Sequence, residues 1–264
     1  MNDVLNSLGD IGIIPVVKIE NSSDSENLAS ALIKGNLPVA EITFRTKAAE
    51  DSIKRISSKF PEMILGAGTV LTIEQVKKAV GAGAQFIVAP GFNPKIVEYC
   101  VKNNIPITPG VNSATQIELA MEYGLNILKF FPAEASGGIG MIKSLAGPYG
   151  DVKFIPTGGI NISNIAKYLE LKSVHACGGS WMAPAKLITE GRFEDITLLA
   201  KAAVAKVLGF GMDSINSKIV LNCNSIERNL VFFKRLGISV DYDKDRKELS
   251  VAANPDGIQI VFKR

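Results

Sequence analysis

IIPVVKIENSSDSENLASALIKGNLPVAEITFR, residues 13–45, holds one complete structural repeat. A β-branched apolar run (13–19) gives way to a segment with apolar residues at helical spacing (25–35), and a second apolar run follows (39–45). Apolar residues three and four apart mark one face of a helix, whereas a short unbroken β-branched run marks a strand buried on both faces. Two such strands joined by a helix pair in parallel, because the helical crossover carries the chain back to its starting end. The loop after the first run, IENSSDSE (19–26), contains no Gly, unlike the dinucleotide-binding turn of an open doubly wound sheet.

The same rhythm continues on the C-terminal side. Further strand candidates are MILGAGTV (63–70), QFIVAPG (85–91), IPITPG (105–110), NILKFFPA (126–133), KFIPTGG (153–159) and SVHACGG (173–179), which makes eight with the first two. Helical spacing recurs over 48–60, 72–83, 93–104, 113–124, 161–171 and 193–210. Thr72, Asn93, Ser113 and Asn161 stand where N-caps belong, and Gly35, Gly83 and Gly124 where helices stop. Eight strand–helix repeats predict an α/β fold, a (β/α)8 TIM barrel, over residues 1–211. The rhythm then changes. Strands at 217–223, 238–243, 248–253 and 257–263 with a helix at 225–237 predict a small α+β (βαβββ) C-terminal domain over 212–264.

Composition narrows the chemistry. The 264 residues are 47% hydrophobic and 21% charged, values of a globular chain with a large core. His175 is the single histidine, so metal sites built on two or more histidines are excluded, and the residue itself reads as a packed structural one. Cys100, Cys177 and Cys223 lie far apart and form no CxxC motif, which fits a reduced, cytoplasmic protein. The polar start MNDVLNSLGD is not a signal peptide, and no apolar run has the length of a membrane span. A net charge of +3 is too weak for a nucleic-acid footprint and suits a small anionic substrate.

In a barrel the chemistry sits at the carboxyl ends of the strands. Lys129 lies inside INILKFFPA, a run that should be buried, where an unpaired lysine is costly. It is either half of a structural ion pair or a desolvated amine of the kind that attacks a ketone to form a Schiff base. Glu41, Thr43 and Arg45 alternate in VAEITFR and so share one strand face. They form either a salt-bridged inner layer or a site in which Glu41 moves protons and Arg45 grips a carboxylate. Gly158–Gly159 and Gly178–Gly179 follow the seventh and eighth strands, where backbone N–H groups converge on phosphate in many barrels.

These residues also carry a family resemblance. EITFRT (41–46), GAGTV (66–70), QFIVAPG (85–91), LKFFPAE (128–134), PTGGI (156–160) and GGSWM (178–182) occur in the order seen in the class I 2-keto-3-deoxy-6-phosphogluconate (KDPG) and 4-hydroxy-2-oxoglutarate (KHG) aldolases, which the chain resembles over about residues 8–208. The resemblance implies a (β/α)8 barrel, usually a homotrimer, working on a 2-keto acid without cofactor or metal. It makes Lys129 the Schiff-base lysine and Glu41 the general acid/base. Arg45 and Thr69 become pyruvate-carboxylate ligands, Pro90 and Phe131 pocket walls, and Thr157 a contact to the substrate hydroxyl region. Gly158, Gly159, Gly179 and Ser180 become the phosphate-binding set. Lys18 stands where many members carry an Arg that binds substrate; it keeps the charge and loses the bidentate fork.

The C-terminal segment lies outside that pattern. Its βαβββ order is similar to a half-module of the glyoxalase-like (vicinal oxygen chelate) fold, but it has no His, and Gln259 stands where a Glu ligand is expected, so no metal is predicted there. Its expected role is an oligomer contact or the binding of a small effector. Three functions compete: the aldolase, in the gluconate or galactonate series; a phosphate-binding isomerase or epimerase using Glu41 as base; and a non-catalytic scaffold, which the full set of polar strand ends disfavours.

Overall fold

In the computed structural model, the described residues are 2–208, 212–215, 218–235, 238, 240–245, 248–251 and 259–263. All eight expected runs carry strand, and every strand pairing among them is parallel. A helix, α1 (Asn2–Ile11), precedes the first repeat. It was not expected, because the start reads as polar; its Leu8 is nonetheless fully buried. The repeats then run β1 (Ile13–Val17), α2 (Ser25–Lys34), β2 (Val39–Thr43), α3 (Ala49–Lys59), β3 (Ile64–Gly68), α4 (Ile73–Gly81), β4 (Phe86–Val88) and α5 (Pro94–Lys102). The fifth run splits at Pro109, which has no N–H for a ladder, into β5 (Ile107–Thr108) and β6 (Gly110–Val111).

The chain continues through α6 (Ala114–Glu122), β7 (Ile127–Phe130), α7 (Gly138–Ala146), β8 (Lys153–Pro156), α8 (Ile165–Leu169), β9 (Cys177–Gly179), α9 (Ala185–Thr189) and α10 (Phe193–Leu208). Helix α7 was unexpected because its start is glycine-rich; Gly137, at φ 98°, caps it in the left-handed conformation that glycine adopts freely. The strand order β5-β4-β3-β2-β1-β9 forms one curled sheet and β6-β7-β8 another. Bridges Phe154↔Val174 and Thr157↔Gly178 join β8 and the residue after it to the segment of β9.

Local signals explain the starts of α4 and α5. Thr72 Oγ1 accepts the Gln75 N–H at 3.1 Å, and the Gln75 side chain accepts the Leu71 N–H in return. Asn93 accepts from Lys95 N, with Pro94 in the first turn. Ser113 occupies the cap of α6 without a side-chain bond. Asn161 does not cap α8; Asn164 holds that place, and Asn161 closes a turn by accepting from Ser163 N. The helices press Leu28, Ile53, Val76, Val97 and Ile117 onto the sheet, all with no exposed surface.

The C-terminal part has one more strand than expected. β10 (Met212–Ile215) pairs antiparallel with β11 (Lys218–Asn222); then come α11 (Ile226–Arg235), β12 (Val240–Asp243), β13 (Glu248–Val251) and β14 (Gln259–Lys263). The sheet order is β10-β11-β14-β13-β12, with β11 and β14 parallel. Ile226, Phe233, Leu249 and Phe262 form its small core. The expected boundary at residue 211 and the NPDG turn (254–257) lie outside the described residues.

Candidate active site

The carboxyl ends of the parallel strands converge on a cavity of about 370 Å³. Of the twelve residues expected to act there, eleven line it: Glu41, Arg45, Thr69, Pro90, Lys129, Phe131, Thr157, Gly158, Gly159, Gly179 and Ser180. Lys18 is the exception. It extends beyond β1, is 41% exposed at its side chain and pairs with Glu20 at 2.5 Å.

Parallel register brings the central pair together. Glu41 is flanked across the ladder by Val16 and Gly66, and Lys129 by Gly110 and Ile155. With small or apolar neighbours on both sides, the two polar side chains share the cavity floor. Lys129 Nζ stands 3.6 Å from Glu41 Oε1, with both side chains under one-tenth exposed. That is an ion-pair distance but too long for a hydrogen bond, and Glu41 Oε1 has no hydrogen-bond partner among the described residues. The ammonium also lies 5.2 Å from the centre of the Phe131 ring, which excludes water and offers a cation–π contact. A buried charge pair with unfilled hydrogen-bonding capacity is a poor stabilising device and a good reaction centre.

Carboxylate recognition has its own geometry. Thr43 Oγ1 donates to Val17 O at 2.7 Å and accepts from Arg45 Nε at 3.0 Å, so Arg45 is held by its inner nitrogen. Its terminal nitrogens form no ion pair with a carboxylate among the described residues, which leaves a guanidinium edge for a bidentate anion. Thr69 follows β3 at φ 56°, a left-handed backbone rare for a β-branched residue. Across the cavity, Gly158 and Gly159 take φ 98° and 84°, and a Cβ on Gly159 would lie 2.4 Å from Glu134 Cγ. Glycine is therefore required there, and the loop presents backbone rather than side chains.

Thr43, Val16 and Ile160 also line the cavity without having been assigned a contact from sequence. Period-two alternation placed Thr43 on the right face, and the same alternation along β1 would have found Val16. Among the described residues no group of three or more His, Cys, Asp or Glu side chains is placed to hold a metal.

Comparison with known proteins identifies the family. The KDPG and KHG aldolase family matches residues 4–199. The chain is 48% identical over 201 residues to a 2-dehydro-3-deoxy-phosphogluconate aldolase of Treponema pallidum, covering 76% of this chain and 96% of that protein. It is 42% identical over 192 residues to the KHG/KDPG aldolase of Escherichia coli K12, covering 73% and 90%. Among solved structures, the KDPG aldolase of Legionella pneumophila, with pyruvate captured at low pH as a covalent carbinolamine, superposes with a TM-score of 0.73 at 39% identity, over 75% of this chain and 97% of that one. The chain belongs to the KDPG and KHG aldolase family and is a class I carbon–carbon lyase.

Proposed function

We propose that the chain reversibly cleaves 2-keto-3-deoxy-6-phosphogluconate to pyruvate and glyceraldehyde 3-phosphate, and 4-hydroxy-2-oxoglutarate to pyruvate and glyoxylate. The observation that carries this reading is the buried Lys129 amine, 3.6 Å from an otherwise unbonded Glu41 oxygen. Glu41 takes a proton from the Lys129 ammonium, the neutral amine adds to the C2 ketone to give a carbinolamine, and Glu41 returns the proton with which water leaves, giving an iminium. Glu41, now a carboxylate, takes the C4 hydroxyl proton as the C3–C4 bond breaks; the electron pair moves into the iminium, forming an enamine and releasing the aldehyde. Protonation of the enamine at C3 and hydrolysis release pyruvate and restore the amine. Arg45 and Thr69 hold the pyruvate carboxylate, Pro90 and Phe131 wall the reacting carbons, and Thr157 faces the hydroxyls. The N–H groups near Gly158, Gly159, Gly179 and Ser180 receive the phosphate. Pyruvate with borohydride should fix one adduct, on Lys129. No adduct, with proton exchange on a sugar phosphate retained, would instead identify an isomerase or epimerase.

The same reading takes the curled parallel strands as a closed (β/α)8 barrel over 1–211. Counting β5 and β6 as one strand broken at Pro109 leaves eight around the ring, joined at the last step by the Thr157↔Gly178 bridge. Residues 212–264 then form an accessory α+β unit, akin to a glyoxalase-like half-module with one added strand. It lies beyond the 4–199 family match, and 201 residues of this chain suffice to cover 96% of the T. pallidum relative. No helix among the described residues is long and apolar enough to cross a membrane; cytoplasmic residence and a homotrimer complete the proposal. Deleting 212–264 and measuring mass and kcat/KM tests the accessory role: an unchanged trimer with unchanged kinetics would remove both an assembly and an effector function.

A further inference from the structure

Glu41 Oε1 accepts no hydrogen bond from any described residue, and Lys129 Nζ stands 3.6 Å from it. Packing must therefore set where the carboxylate stands. The packing partner is Gly68, the last residue of β3, opposite Thr43 in the ladder. A Cβ built on Gly68 would lie 2.0 Å from Glu41 Oε1, 2.6 Å from its Cγ and 2.7 Å from its Cδ. All three contacts are far inside van der Waals distance, and the side chain that would have to yield is buried with the lysine beside it.

Gly68 has no need of its own to be glycine. Its φ lies outside the left-handed region, unlike those of Gly158 and Gly159. Its strand pairing and its carbonyl, which accepts the Phe44 N–H at 2.8 Å, are available to any residue. Its missing side chain serves its neighbour.

We propose that Gly68 is the positioning residue for Glu41: the absent Cβ opens a slot in the cavity wall that seats the carboxylate facing Lys129. The inference rests on the Schiff-base reading above. A methyl group in the slot displaces the carboxylate while leaving the amine, the Arg45 edge and the glycine loop as they are. Glu41→Asp, one methylene shorter, has no atom where Oε1 stands and so relieves the shortest of the three contacts with the same methyl.

Four proteins test this: the unaltered chain, Gly68→Ala, Glu41→Asp and the double variant. The readouts are kcat, KM, the pH profile of kcat, and borohydride trapping of pyruvate on Lys129. Gly68→Ala is expected to lower kcat about 100-fold, the scale of loss for a catalytic group misplaced by roughly 1 Å. KM should move little and the pH profile should shift, because proton transfer is what is disturbed. In the Glu41→Asp background the same change should cost less than about fivefold, the mark of two coupled residues. Where turnover of Glu41→Asp is too low to measure, deuterium exchange into the pyruvate methyl group reads the same proton step. Equal losses in the two backgrounds, or no loss from Gly68→Ala, would overturn the proposal. If Gly68→Ala fails to fold, a double variant with native near-ultraviolet circular dichroism supports it, and a double variant that also fails overturns it. Absence of a Lys129 adduct in the unaltered chain would instead remove the Schiff-base reading, and the positioning role with it.

Discussion

Thr69 combines two demands in one residue. It lines the cavity beside Arg45, and its backbone sits at φ 56°, where a β-branched side chain is strained. Such strain amounts to about 1–3 kcal/mol, while glycine gives back about 0.4–1 kcal/mol through the entropy of the unfolded chain. Thr69→Gly is therefore expected to stabilise by about 1 kcal/mol, raising Tm by roughly 2–4 °C. It should also raise KM for the keto acid about tenfold through the lost hydroxyl. A thermal melt beside a kinetic titration checks both, and a lower Tm would show that the backbone is not strained. Glu41→Gln tests the proton carrier: kcat should fall about 10²–10⁴-fold with the Lys129 adduct still trapped. At this scale the sequence was informative, since a lysine or glutamate in a buried run needs a reason. Lys18 stands outside the cavity lining, and the pattern gives its position in the chain but not its partner, Glu20.

Single elements carry less function and more stability. The first turn of α4 is held by the reciprocal Thr72 and Gln75 bonds. Thr72→Ala should cost about 1 kcal/mol and lower Tm by roughly 2–4 °C. Turnover should be unchanged, since Thr72 does not line the cavity; a drop in kcat without a drop in Tm would show that the turn after Thr69 depends on this cap. The strands were legible because each is short, apolar and bounded by turn residues. Four elements were not, among them the short α9 that follows Pro184. α1 begins with polar residues and buries only one stripe, including Leu8. α7 starts in glycines whose low helix propensity masks it, and a left-handed cap at Gly137 lets it begin. β10 (MDSI) has no apolar alternation to announce it and is defined by pairing with β11.

For the whole molecule, the informative contacts lie at the opposite end of the strands from the cavity. Arg228 of α11 donates through Nη2 to His175 O at 3.0 Å, just before β9, and the His175 ring nitrogen Nε2 meets Leu5 O of α1 at 2.8 Å. Burial holds the His175 imidazole below its ordinary value, and the positive charges of Arg228 and Lys153 push the same way against the Leu5 hydrogen bond. A base whose folded pKa is lowered binds fewer protons folded than unfolded. Its contribution to stability is complete above the unfolded value of about 6.5 and is lost as pH falls through the folded value. Tm should therefore decline from pH 7.5 towards pH 5, and His175→Gln should decline less over that window; parallel curves would show that other groups set the acid limit.

Asn229 extends the same seam by donating through Nδ2 to Leu208 O at 3.3 Å, and Arg228 Nη1 lies against Gly12 just ahead of β1. Helix α11 thus meets the parallel strands where they begin, while the cavity opens where they end. A surface, a label or a second enzyme tethered through the exposed Lys234 at the end of α11 would consequently leave the mouth clear, so the molecule already carries a handle for immobilisation placed away from traffic in and out of its cavity.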